Sequence, residues 1–179
     1  MDRLGPILEN LAKAQRALLS AADQISAEQW KTPMREGAWS GAEVAAHLVA
    51  VERLVLGAAD RITQRDPKKL SFWRKLRLPP RIVERRFPRV KSPVVVDPEL
   101  LGNKEETLAE LRAIRGRTLA FLDETKGRDL GDYRWRHPLL GWLDTYEWFE
   151  FLAAHEIRHS KQMNEIATEL PKSVESLQK

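Results

Sequence analysis

From Asp144 to Leu170 the chain reads DTYEWFEFLAAHEIRHSKQMNEIATEL, and the spacing predicts one long amphipathic helix. Asp144 followed three residues later by Glu147 is a capping-box start, and Pro171 is a natural stop. Phe149, Leu152, Met163 and Ile166 mark one apolar stripe of 3.6-residue period. His155 and His159 fall on that stripe, where the pattern asks for Leu or Ile. One helical turn separates them, about 6 Å along the axis, so both imidazoles can converge on one ion from a rigid support. The alternative is a pair of core histidines satisfied by each other, by water or by carbonyls, because a buried imidazole without a partner carries a desolvation cost.

Composition narrows the chemistry. The chain has 179 residues and no cysteine, which excludes disulfides, iron–sulfur clusters, thiolate zinc sites and cysteine nucleophiles. Any metal must be held by histidine and carboxylate, and the histidines number four: His47, His137, His155 and His159. The first residues, MDRLGPILENLAKAQ, are amphipathic and carry acids, unlike a signal peptide. No apolar run reaches membrane-spanning length. A cytoplasmic location is the expectation, with residues 1–179 as one domain.

Upstream, Leu4 to about Gln24 has helical spacing through Leu8, Leu11, Ala12, Leu18, Leu19 and Ala22, interrupted at Gln15. Ser26 and Gln29 suggest a short turn, and Pro33 and Gly37 a loop. Ser40 with Glu43 opens a second helix by another capping box. Its stripe runs through Val44, Leu48, Val51, Leu54, Val55, Ala58 and Ile62, and His47 lies on it. A lone histidine on an apolar face is more often a core residue than a ligand. As the third histidine on an inward stripe it changes the balance. Asp66-Pro67 is read as the end of this helix.

Residues 66–96 form a basic, proline-rich insertion. Between 66 and 92, ten Lys or Arg stand against Asp66 and Glu84, a local charge of +8; with +4 overall, the rest of the chain carries −4. Such charge runs are usually solvated; the alternative is a docking patch for an anionic surface, phosphate, nucleic acid or membrane. Asn103 with Glu106 caps a third helix, whose stripe is Leu108, Leu111, Ile114, Leu119 and Leu122, with Gly127 as its stop. Residues Gly131–Trp142 read as an aromatic loop carrying His137, structural or rim-lining. No strand pattern is convincing.

Four amphipathic helices predict an all-α four-helix bundle with long connections. The links exceed what antiparallel neighbours need, so crossover connections are open. Facing helices of a bundle build metal sites, and one ligand from the second helix with two from the fourth gives a three-histidine set. Three imidazoles leave open positions on a divalent ion.

In this order, Trp39-Ser40, Glu43 and His47, then His137-Pro138-Leu139-Leu140-Gly141, then His155, His159 and Gln162 resemble the DinB/YfiT-like superfamily of four-helix-bundle metalloenzymes. The resemblance spans most of the chain; the basic connector departs from the family's pattern. It implies metal ligands at His47, His155 and His159, with nickel or zinc as the ion. It also implies a homodimer acting on a small-molecule substrate, in the manner of thiol-dependent S-transferases and isomerases that use a low-molecular-weight thiol. No nucleic-acid partner is expected. A metal-dependent hydrolase and a non-catalytic metal-binding or sensing module are the alternatives. His155-Glu156-Ile157-Arg158-His159 also reads as H-E-x-x-H, in which the Glu is a zinc protease's general base. That signature needs a third ligand further on, and no histidine follows His159. It also needs a strand to hold a peptide. Neither Glu156 nor Glu43 can be given a role from the sequence.

Overall fold

The computed structural model describes residues 3–67, 77–84, 96 and 101–170. The protein is a four-helix bundle: α1 Leu4–Asp23, α2 Gly41–Thr63, α3 Lys104–Glu124 and α4 Thr145–Glu169. All three expected capping boxes form. Ser40 Oγ, Asn103 Oδ1 and Asp144 Oδ1 each accept the backbone N–H of Glu43, Glu106 and Glu147, and each glutamate reaches back to the cap's own N–H. Gly127, at φ +88°, sits where a left-handed residue follows a helix end at little steric cost.

Contacts at the helix ends fix the directions. Arg3 at the start of α1 grips Asp144 at the start of α4 with two bonds, 3.0 and 3.1 Å, so α1 and α4 run parallel. Arg53 pairs with Glu110, and Arg128, just past α3, donates to the Thr63 carbonyl at the end of α2, so α2 and α3 are also parallel. Lys104 Nζ donates to Ile25 O, which brings the start of α3 to the end of α1. The order is up-down-down-up. A parallel α2–α3 pair requires the connector to travel back the length of a 23-residue helix, about 34 Å at 1.5 Å per residue. The crossover left open by the sequence is therefore present.

Of the basic insertion, 68–76 and 85–95 lie outside the described residues, and the reading of it as an anionic docking patch lies there with them. Its described middle is tied down. Leu78 N donates to Leu140 O, the Arg77 guanidinium pairs with Glu147, and Lys161 Nζ reaches Glu84 O. A single 3₁₀ turn, Pro80–Glu84, packs on α4.

Several expectations are corrected. Residues 131–142 are not a plain loop: β1 Arg134–His137 and β2 Gly141–Asp144 pair antiparallel, Trp135 opposite Leu143 and Arg136 opposite Trp142. Gly141 turns the hairpin at φ +93°, a conformation that favours glycine. Helix α2 stops at Thr63, whose hydroxyl turns back onto the Ala59 carbonyl, before Asp66-Pro67. On α1 the buried set is Ile7, Leu11, Ala14, Leu18, Ala21 and Ala22; Ala12 faces out, and Gln15 interrupts nothing because the stripe passes through Ala14 instead. Leu54 and Leu119, assigned to stripes, are 59% and 39% exposed.

Their inward places are taken by charge. Glu52 on α2, Arg115 and Thr118 on α3, and Glu156 on α4 are all buried. Arg115 donates Nε and Nη2 to the two oxygens of Glu52 (2.8 and 3.1 Å), Nη2 to Glu156 Oε2 (2.8 Å) and Nη1 to the Leu11 carbonyl of α1 (2.9 Å). Thr118 Oγ1 donates to Glu52 Oε1 at 2.7 Å. Burial works against the Arg115 charge, but the two carboxylates outweigh it and raise its pKa. Burial likewise pushes the Glu156 carboxyl up to about 7, with Arg115 opposing. Removing the cation would leave two buried acids facing each other. Arg115→Ala should therefore cost about 3–5 kcal/mol of unfolding free energy, read from urea denaturation. A loss below about 1 kcal/mol would mean that the cluster is not enclosed in solution.

Candidate metal centre

His47 lies two turns into α2, and His155 and His159 lie mid-way along α4. Their Nε2 atoms meet. His155 Nε2 is 3.3 Å from His47 Nε2 and 3.1 Å from His159 Nε2, and the three donor atoms lie within 4.8 Å of one another. A divalent ion about 2.0–2.1 Å from each imidazole nitrogen sets neighbouring nitrogens about 2.8–3.4 Å apart for ligand angles of about 90–109°. The two close separations fall in that interval. Rings cross at 62–79° rather than stacking, so the nitrogen edges face inward and the carbon edges pack outward.

Mutual hydrogen bonding does not satisfy this cluster. Nδ1 of His159 lies 3.0 Å from Gln162 Oε1. A carboxamide oxygen can only accept, so that nitrogen carries the proton and Nε2 presents its lone pair. His155 Nε2 can offer at most one hydrogen to two neighbours. Among the described residues, Nδ1 of His47 and Nδ1 of His155 are buried and find no hydrogen-bond partner. Three imidazoles with converging Nε2 lone pairs and protons at Nδ1 are the tautomers that a cation requires, and Gln162 fixes one of them in the way that outer partners orient metal ligands. The residues fit a bound divalent ion.

The surroundings disfavour the charged form of two of these rings, His47 and His155. His47 is buried, and burial pushes its pKa down to about 4. His155 keeps part of its surface exposed while both ring nitrogens face inward. Burial, then repulsion from His159 and His47, pushes it well below its ordinary value. Aromatic rings close the site. The half-buried Trp39 sits 5.0 Å from His47 and stacks on His159 at 6.2 Å and 13°, while Phe151 stacks on His155 at 5.2 Å.

His137, the fourth histidine, is not among the converging rings. Its Nδ1 accepts the backbone N–H groups of Leu139 and Leu140, 3.1 Å each, which shapes the hairpin turn. Its ring packs on Trp148 and Phe151, and burial lowers its pKa to about 4. It is structural. Glu156 belongs to the Arg115 cluster, so the H-E-x-x-H motif lacks its general base here. Glu43 is likewise committed, its Oε2 accepting from Ser40 N and Oγ at 2.8 and 2.9 Å. Among the described residues, the histidine group holds no carboxylate.

Known proteins place the chain in a family. It matches the DinB superfamily over residues 10–163, most of its length, and it belongs to that superfamily. A solved structure described as TT2238, a four-helix bundle protein, is similar at a TM-score of 0.59 and 22% identity. That match covers 90% of this chain and 98% of the other and supports the fold alone. No curated protein matches. Among the described residues, no helix is long and apolar enough to cross a membrane.

Two outcomes follow from the geometry. A set of exposed imidazoles would lose metal to protons near pH 6.5. Here His47 binds protons only near pH 4, so its lone pair stays available through the window from 6.5 down to about 4. Affinity for Zn(II) or Ni(II), measured by competition with a chelating dye, should hold from pH 7 to about 5.5 and fall steeply toward 4. A loss centred at pH 6.5 would contradict the buried geometry. Gln162→Leu should weaken binding about tenfold with an unchanged far-ultraviolet dichroism spectrum.

Proposed function

We propose that the protein is a metal-dependent enzyme of the thiol S-transferase type. One divalent ion, nickel or zinc, would be held by Nε2 of His47, His155 and His159, with a low-molecular-weight thiol joined to a small electrophile. The observation that carries this reading is an acid-free set of three converging imidazoles inside a bundle of the DinB superfamily. When bound, such an ion would supply Lewis acidity and hold the thiol as its thiolate, so that no strong side-chain base is needed.

The chain's own residues do the rest. Three neutral rings bring no negative charge to the site, so a divalent ion would keep its full charge and favour an anionic sulfur. Gln162 holds the His159 proton at Nδ1. Trp39 and Phe151 wall the cluster with apolar rings, limiting water beside the nucleophile. The thiol's proton goes to solvent first; transfer then forms a carbon–sulfur bond at the electrophile while the bond to its leaving group breaks, and that group departs to solvent as an anion. A hydrolase on the same ligands would need only water in the thiol's place, since a bound divalent ion would lower the pKa of that water to about 7. The two acids nearest in sequence, Glu156 and Glu43, are engaged elsewhere and would not assist it, and hydrolysis is the second reading.

The test is a direct assay of metal-loaded protein with a panel of low-molecular-weight thiols and a chromogenic electrophile, run beside an ester substrate. Thiol-dependent turnover that falls at least 100-fold in His159→Ala is the expected result. Ester cleavage indifferent to thiol would replace the transferase reading with the hydrolase. Bound metal with neither activity would make the protein a metal-binding or sensing module.

A further inference from the structure

The three ligands are split across two helices that hold each other weakly. Helix α4 packs most extensively on α1, and α2 on α3, while the α2–α4 seam is much thinner. His47 is on one side of that seam, and His155 and His159 are on the other. Apolar packing between α2 and α4 therefore does little to fix the separation on which an ion depends. Nor does a short connection, since α3 and both long links intervene in sequence.

What spans the seam is the Arg115 cluster. Glu52 lies five residues beyond His47 on α2, about 7.5 Å along the axis, and Glu156 directly follows His155 on α4. One guanidinium from α3 holds both: Nε and Nη2 on Glu52, Nη2 again on Glu156 at 2.8 Å, and Nη1 on the Leu11 carbonyl of α1. Thr118 fixes the second side of Glu52 Oε1. The fork is planar and rigid, and its bidentate grip on Glu52 sets orientation as well as distance. Sliding α2 against α4 by one residue would break these bonds together, and it would also part the histidines.

Stability alone is a poor reason for such a cluster. Taking three charges out of water is expensive, and apolar replacements of similar volume are often neutral or stabilising. We propose that Arg115 is the positioning residue of the metal centre: by gripping Glu52 and Glu156 together, it sets the spacing and register between the helix carrying His47 and the helix carrying His155 and His159. The inference rests on the metal reading above, and adds that the cluster acts on the site through geometry.

The experiment separates that role from simple support of the fold. Wild type, the triple substitution Glu52→Leu with Arg115→Met and Glu156→Leu, and Arg115→Lys are each loaded with Co(II). Affinity, visible absorption and urea midpoint are then measured. The triple variant should keep a midpoint near that of wild type yet bind Co(II) at least tenfold more weakly, with an altered absorption band. Arg115→Lys keeps a cation between the acids but loses the fork; it should shift the same band while remaining helical. It also decides the question if the triple variant does not fold. Wild-type binding with variants that match it in affinity and band would overturn the positioning role and leave the metal site standing. A wild type that binds no Co(II) would overturn both.

Discussion

One buried guanidinium touches all four helices. Arg115 sits on α3, grips acids on α2 and α4, and reaches a backbone carbonyl of α1. A charge in that position has few tolerable neighbours, because each N–H turned away from an acceptor would be desolvated without return. The bundle's arrangement must therefore present Glu52, Glu156 and Leu11 O to one point. An antiparallel arrangement of neighbours with short links would satisfy the apolar stripes equally well, but it would not bring those particular acceptors together. The up-down-down-up order and its long crossover are consistent with this requirement.

The same contacts divide the polar residues of the interior into two sets. Of the buried acids among the described residues, Glu52 and Glu156 are spent on the cation, and Asp144 and Glu147 on the cap of α4. Among the described residues, the imidazoles, one to five residues from Glu52 or Glu156 in sequence, are left without a carboxylate among them. In a medium of low dielectric that separation has chemical weight. Acids beside the histidines would neutralise an ion and weaken its pull on an incoming anion. With three neutral ligands the charge would stay on a bound ion, which would then favour a negatively charged further ligand. Burial keeps the set in that form by disfavouring imidazolium at His47 and His155.

How much of this could be read from the chain depends on how local the signal is. Each capping box is three residues long and needs no tertiary partner, so Ser40–Glu43, Asn103–Glu106 and Asp144–Glu147 were legible. The inward place of His47, His155 and His159 followed from period alone, because imidazoles stood where aliphatic residues were due. The hairpin was hidden for the opposite reason. Its strands are four residues each and draw their support from outside, as where Trp148 stacks on Trp135 at 4.9 Å and donates to its carbonyl. The HPLLG turn and flanking tryptophans were the available hints. The ion cluster is hidden in the sequence because charged residues ordinarily face water. Yet Leu108, Leu111, Arg115, Thr118 and Leu122 keep a steady inward spacing, as do Phe149, Leu152, Glu156, His159, Met163 and Ile166. A charge at such a position has to find a partner at the same level on another helix, and three helices carry one.

Helix α4 can serve as the platform for two ligands because it is held along its length by groups of different kinds. At its start, the capping acids recruit cations from three directions: Arg3 from α1 and Arg134 from β1 onto Asp144, and Arg77 from the connector onto Glu147. Negative charge there also suits the helix dipole. In the middle, Arg115 holds Glu156. Further along, Lys161 ties to the Glu84 carbonyl of the connector, and Met163 and Ile166 are fully enclosed. The crossover is thus more than a link between parallel helices, since its Arg77–Glu84 portion straps the outer side of α4. A helix pinned at both ends and its centre has little freedom to rotate about its axis. Rotation is the motion that would carry His155 and His159 away from His47, so the strap and the clamp constrain the same coordinate from opposite faces.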